Sequence, residues 1–176
     1  MRGLWFACLK QWLEEHCQKG ERVHIAIDRT SWGTVNLLVV SLIWNKRGIP
    51  LYWELLDKLG STSWEEQRDA LSKVLPLLKE HRVVVLGDRE FCSVKLGRWL
   101  NEQECYFCLR LKCNTNIREA QQAWRELAAL GLTPGTSLFL NEVEVTKQKG
   151  FGSFNVASKW KKRYRGFAPP MSLGLF

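Results

Sequence analysis

The chain has 176 residues, of which 45% are hydrophobic, and a formal net charge of +8 at neutral pH. This length suits one domain with a sizeable core, and the hydrophobic content excludes a wholly disordered chain. The excess of positive charge favours a polyanionic partner, nucleic acid first. A basic globular protein without such a partner is the alternative.

No secretory signal precedes the six cysteines, and no apolar run approaches the ~20 residues of a membrane span. We therefore expect a cytoplasmic protein with reduced thiols and no membrane partner. Cys105 and Cys108 have the spacing of a zinc knuckle or a redox pair. No second pair accompanies them, and on a strand their side chains would point to opposite faces. We therefore expect neither a zinc site nor a redox site.

In chain order, the apolar residues of segment 3–18 recur at helical spacing, which predicts an amphipathic helix that Gly20 ends. Three strands are predicted next, over Val23–Asp28, 35–44 and Ile49–Leu56. The turn between the second and the third is short, so these two strands should be antiparallel.

Ser63 and Glu66 form a capping box that opens a helix, and Pro76 should kink or shorten its last turn. A strand, a helix and a fifth strand are then predicted, over Val83–Leu86, Ser93–Glu102 and Tyr106–Leu111. The order strand, strand, strand, helix, strand, helix, strand indicates an α/β fold with a mixed sheet flanked by helices. This is the ribonuclease H-like arrangement, in which the first and fourth strands are neighbours.

Two acids end the strands that this arrangement places side by side. Asp28 ends the first strand, and Asp88 lies just beyond the fourth. Two adjacent carboxylates suit Mg²⁺, with Mn²⁺ as an alternative, and a metal pair about 4 Å apart would support in-line displacement at phosphorus. Asp28 and Asp88 are therefore the candidate catalytic and metal-binding residues. The alternatives are ion pairs with Arg29 and Arg89, or helix caps.

The rest of the chain has a different pattern. A helix is predicted over Ile117–Leu130, and a strand over Leu138–Val145 with Glu142 and Glu144 on its polar face. The last residues, 168–176, show no periodicity, which predicts an irregular tail.

Basic residues cluster after the fifth strand and near the end of the chain. Aromatic rings are interleaved in the run 159–165, which favours contact with nucleic acid, although a solvated helix face would have the same composition. The candidate DNA-binding residues are Arg110, Lys112, Lys159, Lys161, Lys162, Arg163 and Arg165.

Four segments together resemble a bacterial insertion-sequence transposase of the DDE type: 26–32, 48–53, 87–91 and 150–155. The subgroup is the one whose third acid lies in a Tyr-Arg-Glu-Lys signature, and the resemblance covers roughly residues 20–166. It implies a ribonuclease H-like core, a divalent metal, and DNA cleavage and strand transfer at transposon ends by a homodimer in the bacterial cytosol. It also implies that Asp28 and Asp88 are the first two catalytic acids.

The chain departs from this family in two respects. The Tyr-Arg-Glu-Lys pattern does not occur after residue 150, and only 27 residues precede Asp28, where the family has a DNA-end-binding region. We therefore expect a truncated copy that is inactive alone. The alternatives are a non-catalytic DNA-binding remnant of a mobile element and a ribonuclease H-like metal nuclease.

The expected domains follow from the resemblance and the departures. They are an N-terminal helix (1–22), the catalytic core (23–112), a partial β-containing insertion (113–160), and a basic segment with an irregular tail (161–176) before a truncated C-terminus.

Overall fold

A computed structural model describes residues 2–146, 153–159 and 172–175, the last four by their backbone alone. The first part of the chain consists of helix α1 (Arg2–His16) and strands β1 (Arg22–Trp32), β2 (Val35–Trp44) and β3 (Arg47–Leu56). The predicted helix and three strands are confirmed. Strand β1 continues beyond Asp28, where we placed its end, because its antiparallel pairing with β2 extends to Trp32 opposite Val35.

The next elements are α2 (Trp64–Val74), β4 (Arg82–Gly87), α3 (Val94–Glu102) and β5 (Tyr106–Arg110). The predicted capping box opens α2: the Ser63 hydroxyl accepts from the Glu66 backbone N–H, and the Ser63 N–H donates to the Glu66 carboxylate. After α2 the chain forms a 3₁₀ turn over Leu75–Leu78, with Pro76 near its start. This agrees with the expected disturbance of the last helical turn.

These strands form a mixed sheet in the order β3-β2-β1-β4-β5, in which β4 runs parallel to both β1 and β5. Helices flank the sheet, so the predicted ribonuclease H-like fold is confirmed. Alternate residues of the strands point into one apolar core, together with the inner sides of α2 and α3. The fully or almost fully buried residues of the strands include Ile25, Ile27, Leu38, Val40, Leu42, Val85, Phe107 and Leu109.

The segment predicted as a helix over 117–130 forms other structure. It contains β6 (Asn116–Arg118), β7 (Arg125–Glu126) and a 3₁₀ turn over Leu127–Leu130. The helix prediction is wrong because Ile117 is buried in a β-ladder opposite Val145, and because Gln121 turns the chain with a φ of 62°. Tertiary pairing here overrides the local apolar spacing.

The remaining strands are β8 (Ser137–Val145), β9 (Ser153–Lys159) and β10 (Ser172–Leu175). The strand predicted at 138–145 is confirmed. The prediction of an irregular tail is wrong for Ser172–Leu175, which pairs with β5 on one side and with β9 on the other. Four residues are too few to show a period in sequence, so only the pairing with two longer strands identifies them as a strand.

Strand β10 joins both sets of strands into one ten-stranded sheet, ordered β3-β2-β1-β4-β5-β10-β9-β8-β6-β7. Strands β6–β9 lie in the segment expected to be a β-containing insertion. The predicted DNA-binding residues Lys161, Lys162, Arg163 and Arg165 lie outside the described residues. Among the helices that are described, none is long and apolar enough to cross a membrane.

Candidate functional site

The two candidate acids occupy adjacent positions on neighbouring strands. Strands β1 and β4 are parallel, and their last paired residues are Ile27 and Gly87. The next residues are Asp28, inside β1, and Asp88, directly after β4, and neighbouring strands lie about 4.8 Å apart. Both acids are exposed and line one cleft of about 820 Å³. The structure therefore brings the predicted pair together at one end of the sheet.

The backbone holds one oxygen of each carboxylate. Oδ1 of Asp28 accepts the backbone N–H of Arg29 at 2.8 Å, and Oδ1 of Asp88 accepts that of Glu90 at 2.8 Å. Within the described ranges, neither acid forms an ion pair and neither Oδ2 accepts a hydrogen bond. The alternative of pairing with Arg29 and Arg89 is therefore wrong. Neither acid is a helix cap, since Asp28 lies inside β1 and Ser93 caps α3.

Gly87 allows the chain to turn sharply at Asp88. A Cβ atom at position 87 would lie 2.8 Å from Cδ2 of Leu109 and 3.0 Å from Cβ of Phe91. Phe91 is 1% exposed, and its backbone N–H donates to the carbonyl of Asp88 at 3.2 Å. The glycine before the second acid thus leaves the space in which Phe91 packs beneath the end of β4.

An ion pair that the sequence did not reveal links the two acid-bearing segments. Nε of Arg29 donates to both carboxylate oxygens of Glu90, at 2.9 and 2.8 Å, and Nη1 donates to the side-chain oxygen of Asn36 at 3.1 Å. Glu90 also accepts from the backbone N–H of Thr62. Burial acts to raise the pKa of Glu90, but the hydrogen bonds from Thr62 and Arg29 outweigh it and place the pKa below its usual value. Glu90 is therefore ionised near neutral pH.

Two predicted DNA-binding residues line the same cleft as the acids. Arg110 follows Leu109, which pairs with Gly87, so Arg110 occupies the position beside Asp88 on the next strand. The Nε atom of Arg110 is buried and has no hydrogen-bond partner in the described part of the chain. Lys159, at the end of β9, is exposed and lines the far side of the cleft. Lys112 is exposed, but it is not among the residues that line the cleft.

Beyond the pair, no third acid lines the cleft in the described ranges. No group of three His, Cys, Asp or Glu side chains among these residues is placed to hold a metal ion. Glu142 is exposed beside an irregularity in β8, and Glu144 forms an ion pair with Arg118. Both oxygens of Glu90 are engaged by Arg29.

The donor set of the cleft nevertheless fits a hard divalent cation. Mg²⁺ typically binds one or two carboxylates and completes its octahedron with water and phosphate oxygens. Asp28 and Asp88 each present one carboxylate oxygen without a protein partner in the described part of the chain. Mn²⁺ accepts the same oxygen ligands.

Comparison with known proteins gives similarity in structure only. No family model matches the chain, and no curated protein matches it. The piggyBac transposase, in a synaptic complex with hairpin DNA, superimposes with a TM-score of 0.50 at 11% sequence identity, over 90% of this chain and 33% of that chain. The Mos1 transposase catalytic domain, solved with Raltegravir and Mn, matches with a TM-score of 0.35 at 15% identity, over 60% of this chain and 57% of that one.

The present chain thus spans about a third of the piggyBac transposase. At 11% identity this similarity concerns the fold alone. The TM-score of the Mos1 domain is too low to support a structural assignment. What the comparison supports is therefore the fold alone: the mixed sheet flanked by helices is similar in architecture to part of the piggyBac transposase.

Proposed function

We propose that this chain is the catalytic core of a DDE-type transposase of a bacterial insertion sequence, and that Asp28 and Asp88 bind Mg²⁺ or Mn²⁺. The observation that supports this most directly is the register of the sheet. It sets the two carboxylates side by side in a cleft that Arg110 and Lys159 also line. Acidic residues that bind a cation, next to basic residues that bind phosphate, form a site for a phosphodiester.

Each group has a distinct role in this proposal. Asp28 and Asp88 hold the metal, which when bound activates the attacking oxygen and stabilises the leaving oxygen at phosphorus. Arg110 holds a DNA phosphate close to the acids, and Lys159 and Lys112 bind further along the backbone. Phosphate contacts position the nucleic acid without selecting its sequence. The proposal also assigns DNA binding to four basic residues that lie outside the described part of the chain: Lys161, Lys162, Arg163 and Arg165.

In this proposal the site binds metal and DNA, and no third acid lines the cleft in the described part of the chain. We therefore propose that the isolated chain does not cleave DNA, and that cleavage and strand transfer belong to a homodimer with a complete acid triad in the bacterial cytosol. The second candidate function is a DNA-binding remnant without chemistry. This second function is favoured because Asp28 and Asp88 are the only two carboxylates that line the cleft in the described part of the chain. A metal nuclease that takes another acid is the third.

Metal binding tests the acid pair. Isothermal titration with Mn²⁺ should show binding to the wild-type chain that is lost in Asp28→Ala and in Asp88→Ala. Asp57→Ala is the matched control, because Asp57 is an exposed acid that does not line the cleft. Equal Mn²⁺ binding by all four proteins would contradict the assignment. Metal-dependent nicking of DNA by the wild type, abolished in Asp88→Ala, would show instead that the active site is complete.

DNA binding tests the basic surface. Binding of a duplex should weaken steeply with salt, because it releases counterions from phosphates. Reversing the charges of the run from Lys159 to Arg165 should abolish binding at low salt, whereas Lys46→Glu, in the exposed turn after β2, should retain it. Unchanged affinity after the reversal would exclude this run as the phosphate-binding surface.

A further inference from the structure

Both acids lie just beyond the last rung of the ladder that joins their strands. The paired residues of β1 and β4 end at Ile27 and Gly87. The backbone hydrogen bonds that fix the spacing of the two strands therefore stop before Asp28 and Asp88. The ladder places the two acids side by side, and contacts beyond it are needed to fix the orientation and exact separation of the carboxylates.

The next connection between the two segments is the ion pair of Arg29 and Glu90. The two residues are 61 positions apart in the chain, and Nε of Arg29 donates a bifurcated hydrogen bond to both carboxylate oxygens of Glu90, at 2.9 and 2.8 Å. Their exposed fractions are 21% and 15%, so water screens the pair little. Hydrogen bonds between an arginine and a carboxylate are charge-assisted and are roughly twice as strong as those between neutral groups.

The same two residues hold the acids through their backbone. The N–H of Arg29 donates to Asp28, and the N–H of Glu90 donates to Asp88, each at 2.8 Å. Each member of the ion pair thus orients one carboxylate with its main chain and reaches the other segment with its side chain. A continuous series of hydrogen bonds thus leads from Asp28 through Arg29 and Glu90 to Asp88.

Surrounding residues hold the ion pair itself in place. Asn36, which is 1% exposed, accepts from Arg29 and donates to the carbonyl oxygens of Lys58 and Gly60 at 2.7 and 3.1 Å. Thr62 donates to Glu90 from both its backbone N–H and its hydroxyl, at 2.9 and 3.1 Å. The loop between β3 and α2 therefore closes over the pair and fixes its geometry.

We propose that the Arg29–Glu90 ion pair is a positioning device that sets the separation and orientation of Asp28 and Asp88 for one divalent cation. This inference rests on the proposed metal-binding function and adds two positioning residues to it. Glu90 is not a third ligand, because its oxygens are directed to Arg29 and Thr62. It acts through the acids that it helps to orient.

Mn²⁺ affinity, measured by calorimetry on the full chain, separates positioning from simple charge. Removing the negative charge of Glu90 near a cation weakens binding by Coulomb's law, and removing the positive charge of Arg29 strengthens it. If the pair positions the acids, Glu90→Gln and Arg29→Gln both weaken Mn²⁺ binding, by about 10- to 100-fold as for other groups that orient metal ligands. The double variant should be no weaker than either single variant, because residues that act as a unit are not additive.

Glu144→Gln is the matched control, since it breaks the ion pair with Arg118 and should leave Mn²⁺ affinity unchanged. All variants are compared below their melting temperatures, so that loss of fold does not imitate loss of affinity. Mn²⁺ binding by Arg29→Gln that equals or exceeds that of the wild type would overturn the proposal.

A second measurement does not depend on metal. The Glu90 amide, which donates to Asp88, should be protected from hydrogen exchange in the wild type and should exchange at least 10-fold faster in Arg29→Gln. If the wild type binds no Mn²⁺, the proposed function is wrong. Faster exchange of this amide would then still support the positioning role, and unchanged exchange would overturn it.

Discussion

Gly87→Ala tests how tightly the end of β4 is packed next to Asp88. The added Cβ would lie 2.8 Å from a terminal methyl of Leu109 and 3.0 Å from Cβ of Phe91. Leu109 can move its methyl group, but the Cβ of Phe91 is attached to backbone that carries the turn after Asp88. The φ of Gly87 is not in the left-handed region, so the cost arises from overpacking and not from backbone strain.

Overpacking of a well-packed core costs about 1–3 kcal/mol. For a chain of this size, that corresponds to a decrease in melting temperature of about 2–12 °C. Urea denaturation followed by tryptophan fluorescence should show a lower midpoint with an unchanged slope. Gly48→Ala is the control, because its Cβ would meet only the Ser41 side chain, at 3.3 Å, near the sheet edge.

A double-mutant cycle identifies the clash. Leu109→Ala removes the methyl that lies closest to the new Cβ, so Gly87→Ala should cost less in that background than in the wild type. A Gly87→Ala variant as stable as Gly48→Ala would refute the packing argument. The argument would also be refuted if Gly87→Ala lowered the stability equally in the wild type and in the Leu109→Ala variant.

Two further predictions concern groups outside the cleft. The pKa of Glu66 lies below its usual value because hydrogen bonds from Ser63 and Lys58 outweigh the opposing effect of burial. The ionised Glu66 carboxylate should therefore stabilise the fold fully above about pH 4.5, and this stabilisation should be lost as the pH falls through the lowered pKa. Glu66→Gln should accordingly be less stable than the wild type at pH 7, with a difference that shrinks in urea titrations at pH 3, and a constant difference would contradict this. Burial raises the pKa of Cys92 to about 12, whereas Cys8 and Cys113 are exposed; iodoacetamide at pH 8 should therefore modify Cys8 and Cys113 first, and mass spectrometry showing Cys92 modified equally fast would exclude the described packing.

The parts of the fold that could be predicted are those whose signals are local. The apolar run 35–44 defines β2 without error in its bounds, and Ser63 with Glu66 identifies the start of α2. The adjacency of Asp28 and Asp88 also follows from sequence, because strand order and parallel direction determine which strand ends meet.

The parts that could not be predicted depend on contacts distant in sequence. The Arg29–Glu90 pair joins residues 61 positions apart, and only the register of β1 and β4 brings them together. One signal was present: Asn36 is a polar residue inside an otherwise apolar strand, and a buried amide must find hydrogen-bond partners. Its partners lie on Arg29 and on a loop, which sequence alone does not indicate.

In the proposed function, the strand order of the sheet also determines from where the basic residues approach a nucleic acid. Arg110 is on β5, next to the strand of Asp88, whereas Lys159 is on β9, with β10 between them. Because neighbouring strands are about 4.8 Å apart, the two basic residues lie on strands separated by about 10 Å. The two residues therefore approach the cleft from different strands, and in the proposed function they contact the nucleic acid from two sides of the cleft. In the proposed function, Arg110, beside Asp88, holds the phosphate nearest the metal, and Lys159 contacts the DNA further from it.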